Sequence, residues 1–177
     1  MALILVGFGL RDSIMDVAVL QYQELQLYDG IILLDEDADT QERQKLSDYL
    51  EEEPDVSVSD TLYMKMSTIE NKGKSRDTYL MIPGDTEKFS KFVDLRDRLT
   101  GEEYALNEDG IILTEKTASM LDVSEGDTVR VELSDDQVCE MTVAQVCENY
   151  MGHYAYMTSG YYEKITGEKP EYNSMLY

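Results

Sequence analysis

The residues with most chemical potential are a tyrosine-rich run, Tyr150-Met151-Gly152-His153-Tyr154-Ala155-Tyr156, followed by Tyr161 and Tyr162. Such a cluster supplies ring faces, phenol hydroxyls and one imidazole, which suits an apolar groove for a peptide or lipid; it equally suits a core. Tyr150, His153, Tyr154 and Tyr156 form the candidate interaction surface. Tyr154 and Tyr156, two residues apart, share one face of any strand they occupy. His153 is the single histidine, and no His-x-x-x-His, Gly-x-Ser-x-Gly or Cys-His arrangement accompanies it, so it reads as a packing or hydrogen-bonding residue and no catalytic residue is assigned. Asp35, Asp37 and Asp39 occupy the first, third and fifth positions of a calcium loop. Thr40 then stands where glycine is needed and Leu46 where a bidentate glutamate is needed, so no metal site is assigned. Phosphate-binding loops are absent and no cofactor is expected. Cys139 and Cys147 lack zinc-type spacing; on one continuous strand they would lie about 26 Å apart on one face, as two small buried hydrophobes.

Several elements must position these residues. Ala2 to Leu10 is an uncharged stretch, half the length of a membrane span, and reads either as a short buried element or as the outer end of a membrane helix. Leu10, Ile14, Val17, Ala18, Leu20 and Leu25 continue it at helical spacing among polar residues, giving an amphipathic stalk over 1–28. Gly30 to Leu34 predicts a buried strand. Asp39 and Glu42 form a capping box for a helix with Leu46, Tyr49 and Leu50 on one stripe, closed by Pro54. Val56 to Tyr63 and Thr78 to Ile82 predict a hairpin turning at 71–75, followed by a short helix over 85–92. Beyond a polar stretch come a strand at Gly110 to Leu113, a helix capped by Thr114, and strands at Thr128 to Leu133 and Val138 to Val146, suggesting a compact sheet or partial barrel. A strand at His153 to Met157, a helix at Ser159 to Thr166 ended by Gly167, and a strand at Tyr172 to Tyr177 complete the chain. The predicted class is α+β, with two α/β segments, 29–92 and 150–177, bracketing a β-rich insert at 93–149.

Charge narrows the partners. Fifteen Lys and Arg stand against 37 Asp and Glu among 177 residues, a formal net charge of −22. That field repels phosphate backbones and anionic headgroups, which argues against nucleic acid and leaves cations and basic peptides.

A resemblance is carried by phrases spread along the chain: FGLRDSI from Phe8, YDGIILLDEDA from Tyr28, FVDLRD from Phe92, GIILTEKTA from Gly110, EGDTVRV from Glu125 and ENYMGHYAYM from Glu148. Together they resemble the extracytoplasmic domain of FtsX-like ABC transporter permeases, the broad family that includes MacB. The resemblance implies a porter-like α/β lobe built from 29–92 plus 150–177, an inserted β-rich lobe at 93–149, and a stalk continuing a membrane helix. It implies no catalysis in this domain, a cytosolic ATP-binding subunit as partner, membrane attachment through flanking helices, and a role in peptide or lipoprotein handling or mechanotransmission outside the cell membrane. The alternative from composition alone is a stand-alone extracytoplasmic acidic protein that binds cationic peptides or calcium.

Overall fold

The computed structural model describes residues 13–35, 40–134 and 136–177. Ala2 to Leu10 and the Asp37 and Asp39 positions lie outside them. Helix α1 is α-helical over 13–19 and ends in a π-helical turn, Leu20–Leu25, closed by an i+5 bond in which Gln26 N–H donates to Gln21 C=O at 2.8 Å. There follow β1 (Ile31–Leu33), α2 (Thr40–Glu52), β2 (Asp60–Asn71), β3 (Lys74–Pro83), α3 (Thr86–Phe89), β4 (Ile111–Thr114), α4 (Glu115–Leu121), β5 (Thr128–Ser134), β6 (Gln137–Cys147), β7 (Tyr154–Tyr156), α5 (Ser159–Thr166) and β8 (Ser174–Leu176). The class is α+β.

Local chemistry explains most element ends. The hairpin β2–β3 turns through Lys72 (φ 48°) and Gly73 (φ 80°), two successive positive values that match the right-handed twist of the strands they join. Asp85 caps α3, its carboxylate accepting from Glu87 N at 2.8 Å and Lys88 N at 3.1 Å. Thr158 caps α5 by accepting from Tyr161 N, and Gly167 (φ 78°) ends it. Thr114 precedes α4 but makes no capping bond; its hydroxyl instead meets Thr117 Oγ1 at 2.8 Å and accepts from Tyr154 N at 3.2 Å. On α2, Leu50 is buried while Tyr49, expected on the same stripe, is exposed.

One sheet runs in the order β1-β8-β2-β3-β7-β4-β6-β5 and closes on itself, because β2 also pairs with β5. The length of β2 makes this possible. Its first residues, Asp60 to Leu62, pair with β8, and its last, Thr68 to Glu70, pair with β5. Six strands thus form a closed ring, with β8 and β1 as an extension of its wall. Strands of 93–149 are therefore hydrogen-bonded to β2 and β7 of the flanking segments, and a single sheet passes through all three. The expected buried strand at Gly30 to Leu34 is instead the three-residue β1, paired only with β8 and leaving Leu33 65% exposed, as an outer strand with one covered face does.

Alternation along the ring sorts side chains into two cores, one on each side of the wall. Ile69, Leu80, Ile111, Val131 and Val143 fill the ring with α4 and α5 over it; Leu62, Met81, Phe89, Phe92, Ile112 and Tyr156 form a second cluster on its outer face. Each large apolar side chain so buried contributes about 1.5–3 kcal/mol. A bulge in β6 interrupts the alternation: Val143 pairs with Ile111 and Gln145 with Ile112, leaving Ala144 as the extra residue. Gly110 lets the strands approach there, since a Cβ would overlap the Thr142 carbonyl oxygen. The bulge corrects the expectation for the cysteines. Cys139 packs against the inner core and the buried Cys147 belongs to the outer one, so the thiols lie on opposite faces of the wall, both free.

Candidate functional site at the junction of helix α1 with the sheet

Helix α1 presents Val17, Ala18, Leu20, Gln21 and Leu25 toward the domain, and a glutamine stands within an otherwise apolar stripe. Gln21 has no exposed surface. Both ends of its amide are hydrogen-bonded. Nε2 donates to Asn149 Oδ1 at 2.9 Å, and Oε1 accepts from Tyr150 N at 2.8 Å and Met151 N at 3.0 Å. Asn149 in turn donates through Nδ2 to Met151 C=O at 2.7 Å, which completes a tight clasp of the 149–151 loop. Backbone bonds continue the contact past the helix end: Asp94 N donates to Leu25 C=O at 2.9 Å and Leu27 N to Phe92 C=O at 2.7 Å.

Beside this clasp lies a charge cluster centred on Arg96. Its guanidinium meets Glu24 at 2.8 Å, Glu148 at 2.8 Å and Asp94 at 3.1 Å, joining α1, the 93–98 segment and the loop after β6. Hydrogen bonds that its guanidinium donates to Glu24 and then Glu148 hold the Arg96 pKa above its ordinary value, so it is always charged. Glu148 is buried, which pushes its carboxyl up, yet the hydrogen bonds from Tyr150 and Arg96 outweigh burial and hold it below the usual range. Asp94, where desolvation dominates over Arg96, is pushed up. Arg98 extends the cluster, lying 4.9 Å above the Tyr150 ring centroid and 2.9 Å from Glu115.

The tyrosine-rich run divides across these surroundings. Tyr150 is half-buried, its hydroxyl bonded to Glu148 and its ring under Arg98. His153 turns toward α4, with Nδ1 3.0 Å from Thr117 Oγ1, and burial followed by the charges of Arg76 and Lys116 lowers its pKa, leaving it neutral at pH 7. Tyr154 and Tyr156 do share the outer face, their rings stacked at 6.0 Å. Tyr156 is only 2% exposed and packs on Phe89 at 5.9 Å, so it belongs to the core and is withdrawn from the interaction surface. Tyr154 remains partly exposed and stacks on Tyr79 at 6.1 Å. Sequence reasoning missed Gln21 and Arg96; for Gln21 a signal exists, since it falls three residues after Ala18 and four before Leu25 on the apolar stripe.

Among the described residues, no helix is long and apolar enough to cross a membrane, and no group of three or more His, Cys, Asp or Glu is placed to hold a metal. What this arrangement can do is mechanical: three side-chain bonds and a shared guanidinium join one helix to the loop leading into β7.

No family model matches the chain, and no curated protein sequence matches it. Solved structures do. The extracellular domain of the noncanonic ABC-type transporter YknZ from Gram-positive bacteria superposes with a TM-score of 0.51 at 13% identity, covering 83% of this chain and 81% of that one. The periplasmic region of MacB from Actinobacillus actinomycetemcomitans superposes with a TM-score of 0.50 at 12% identity, covering 82% and 71%. The chain has the fold of these extracytoplasmic domains, and its similarity to them runs through most of its length.

Proposed function

We propose that this chain is the extracytoplasmic domain of an ABC transporter permease, on the outer side of the cell membrane, with a cytosolic ATP-binding subunit as its partner. Helix α1 delivers movement of a membrane helix to the domain, and the domain acts on a peptide or protein substrate outside the cell. The observation that carries this reading is the buried Gln21 clasp: a helix that must move a domain needs a junction that does not slip, and a fully desolvated amide with three partners is costly to pull apart. The likeness to the YknZ and MacB domains supports it. The segment after α1 is itself tied to the sheet, Asp29 and Gly30 donating to the Tyr177 carbonyl at 2.8 and 3.2 Å.

The test is to tag the product of the full reading frame, isolate it from membranes and measure ATP hydrolysis. The expected result is a membrane-embedded complex with an ATP-binding subunit, in which Gln21→Ala keeps basal hydrolysis but loses the response to substrate. A gene product free of membranes and of any ATPase would refute the proposal.

A further inference from the structure

On the outer face of the wall, next to α1, the apolar cluster does not end under cover. Met66 of β2 pairs across the ladder with Tyr79 of β3, and Tyr79 pairs with Tyr154 of β7. Tyr79 and Tyr154 stack, and Tyr154 stacks again on the buried Tyr156, so a row of rings rises from the core to the surface. Met66 is 48% and Tyr79 38% exposed. Tyr28, just after α1, packs against the same cluster, and its phenol is pushed up to about 12 by burial and then by proximity to Tyr154 and Tyr22. Tyr22, on the π-helical turn itself, is 56% exposed. The result is one aromatic strip bridging α1 and the sheet.

Its electrostatic setting is mainly acidic, with Arg130 of β5, paired with Glu70 at 3.9 Å, at its far edge. On this face β2 carries Thr68 and Glu70 beyond Met66, and β3 carries Asp77 beyond Tyr79, with Thr68 bonded to Asp77 at 3.0 Å. Lys65, Lys74 and Arg76 fall at the alternate positions of the two strands, so no basic residue stands on this face of β2, β3 or β7. The exposed Asp29 adjoins Tyr28 at the other end. Exposed tyrosine faces rimmed by carboxylates, on a chain of net charge −22, attract an apolar surface flanked by Lys or Arg and reject an acidic one. The chain already makes this contact internally, where Arg98 lies over Tyr150.

We propose that Tyr22, Tyr28, Tyr154, Tyr79 and Met66 form a binding surface for a cationic amphipathic peptide, its apolar side on the rings and its basic side chains on Asp77 and Asp29. Binding as such stands on this surface alone; it rests on the permease reading only in making the peptide the substrate whose arrival α1 transmits, through Tyr22 and Tyr28.

The test titrates the 177-residue chain with a lysine–leucine helical peptide carrying one tryptophan, and with its glutamate–leucine counterpart. The chain has no tryptophan, so indole emission reports the peptide alone. The expected result is a blue-shifted, saturable signal with the basic peptide only, weakened by added salt. Tyr79→Ser and Asp77→Lys each weaken it roughly tenfold. Both side chains are exposed, so circular dichroism should show these variants folded. Equal binding of the acidic peptide overturns the proposal, as does unchanged affinity in both variants. Concentration-dependent dimerisation abolished by Tyr79→Ser also overturns it, making a second copy the occupant. Absence of binding refutes the surface and leaves the permease reading to be decided by the membrane complex.

Discussion

Replacing Gln21 by alanine removes three hydrogen bonds at a point with no access to solvent. Each is worth about 1 kcal/mol net, and the peptide N–H groups of Tyr150 and Met151 then lack their acceptor, so the loss is about 3 kcal/mol. For a chain of this size that lowers the melting temperature by roughly 6–12 °C. The more specific readout is amide hydrogen exchange at Tyr150 and Met151, where about 3 kcal/mol corresponds to roughly a hundredfold faster exchange. Gln23→Ala, on the exposed side of the same helix, serves as the control and should change stability by less than about 0.5 kcal/mol. Should Gln21→Ala melt within a degree of wild type with protection at 150 and 151 intact, the clasp does not hold the helix in solution. The mechanical reading of α1 would fall with it.

Arg96→Met leaves Glu148, itself buried, without its guanidinium, and should cost about 2–4 kcal/mol in chemical denaturation, against under about 1 kcal/mol for the more exposed Arg98→Met. The pH dependence follows from Glu148. Its folded pKa lies below the unfolded value near 4.5, so its contribution is fully present above that value and is lost as pH falls through the lower folded pKa. Asp60, Asp94 and Glu115 are shifted the other way by burial and gain stability on acidification, so the difference between wild type and Glu148→Gln is the quantity to follow: it should be largest near neutrality and close in acid. Cys147, fully buried with its thiol pushed to about 12, should resist alkylation until denaturant unfolds the chain, while Cys139 reacts slowly; mild oxidation should form no bridge between them within one chain, as mass spectrometry of the intact protein would show.

Elements with strong local signals were legible. The cap and glycine of α5, the hairpin turn at Lys72-Gly73, and the strict exposed–buried alternation of β5 all lie within a few residues of sequence. The extent of β2 was not legible, because its ring-facing side carries Lys65 and Ser67 between Tyr63 and Ile69, and polar residues there erase the period-two signal. Ring closure was missed for the same reason, since it depends on Thr68 to Glu70 being strand and reaching β5 some 60 residues onward. Nor does β6 advertise its bulge. The extra residue, Ala144, lies where Gly110, just before β4, makes its close approach, and a side-chain parity set by a neighbouring strand cannot be read along one run of sequence.

The candidate site was legible as a region rather than as an arrangement. Tyr154 and Tyr156 fall on one face by parity, but which of them reaches solvent depends on Phe89, brought over Tyr156 from 67 positions earlier. Gln21 illustrates a different limit. A glutamine in an amphipathic helix ordinarily marks the wet side, and only its phase against Ala18 and Leu25 places it on the buried one. Two of its three bonds go to main-chain N–H groups, so the clasp is indifferent to the side chains of Tyr150 and Met151. That indifference has a consequence for function: the loop can vary what it presents to a partner, as Tyr150 presents its ring to Arg98, while the connection to α1 stays unchanged. Asn149, whose side chain both receives Gln21 and closes the loop, has no such freedom, and Asn149→Asp should disturb the junction more than any non-proline substitution of Tyr150 or Met151.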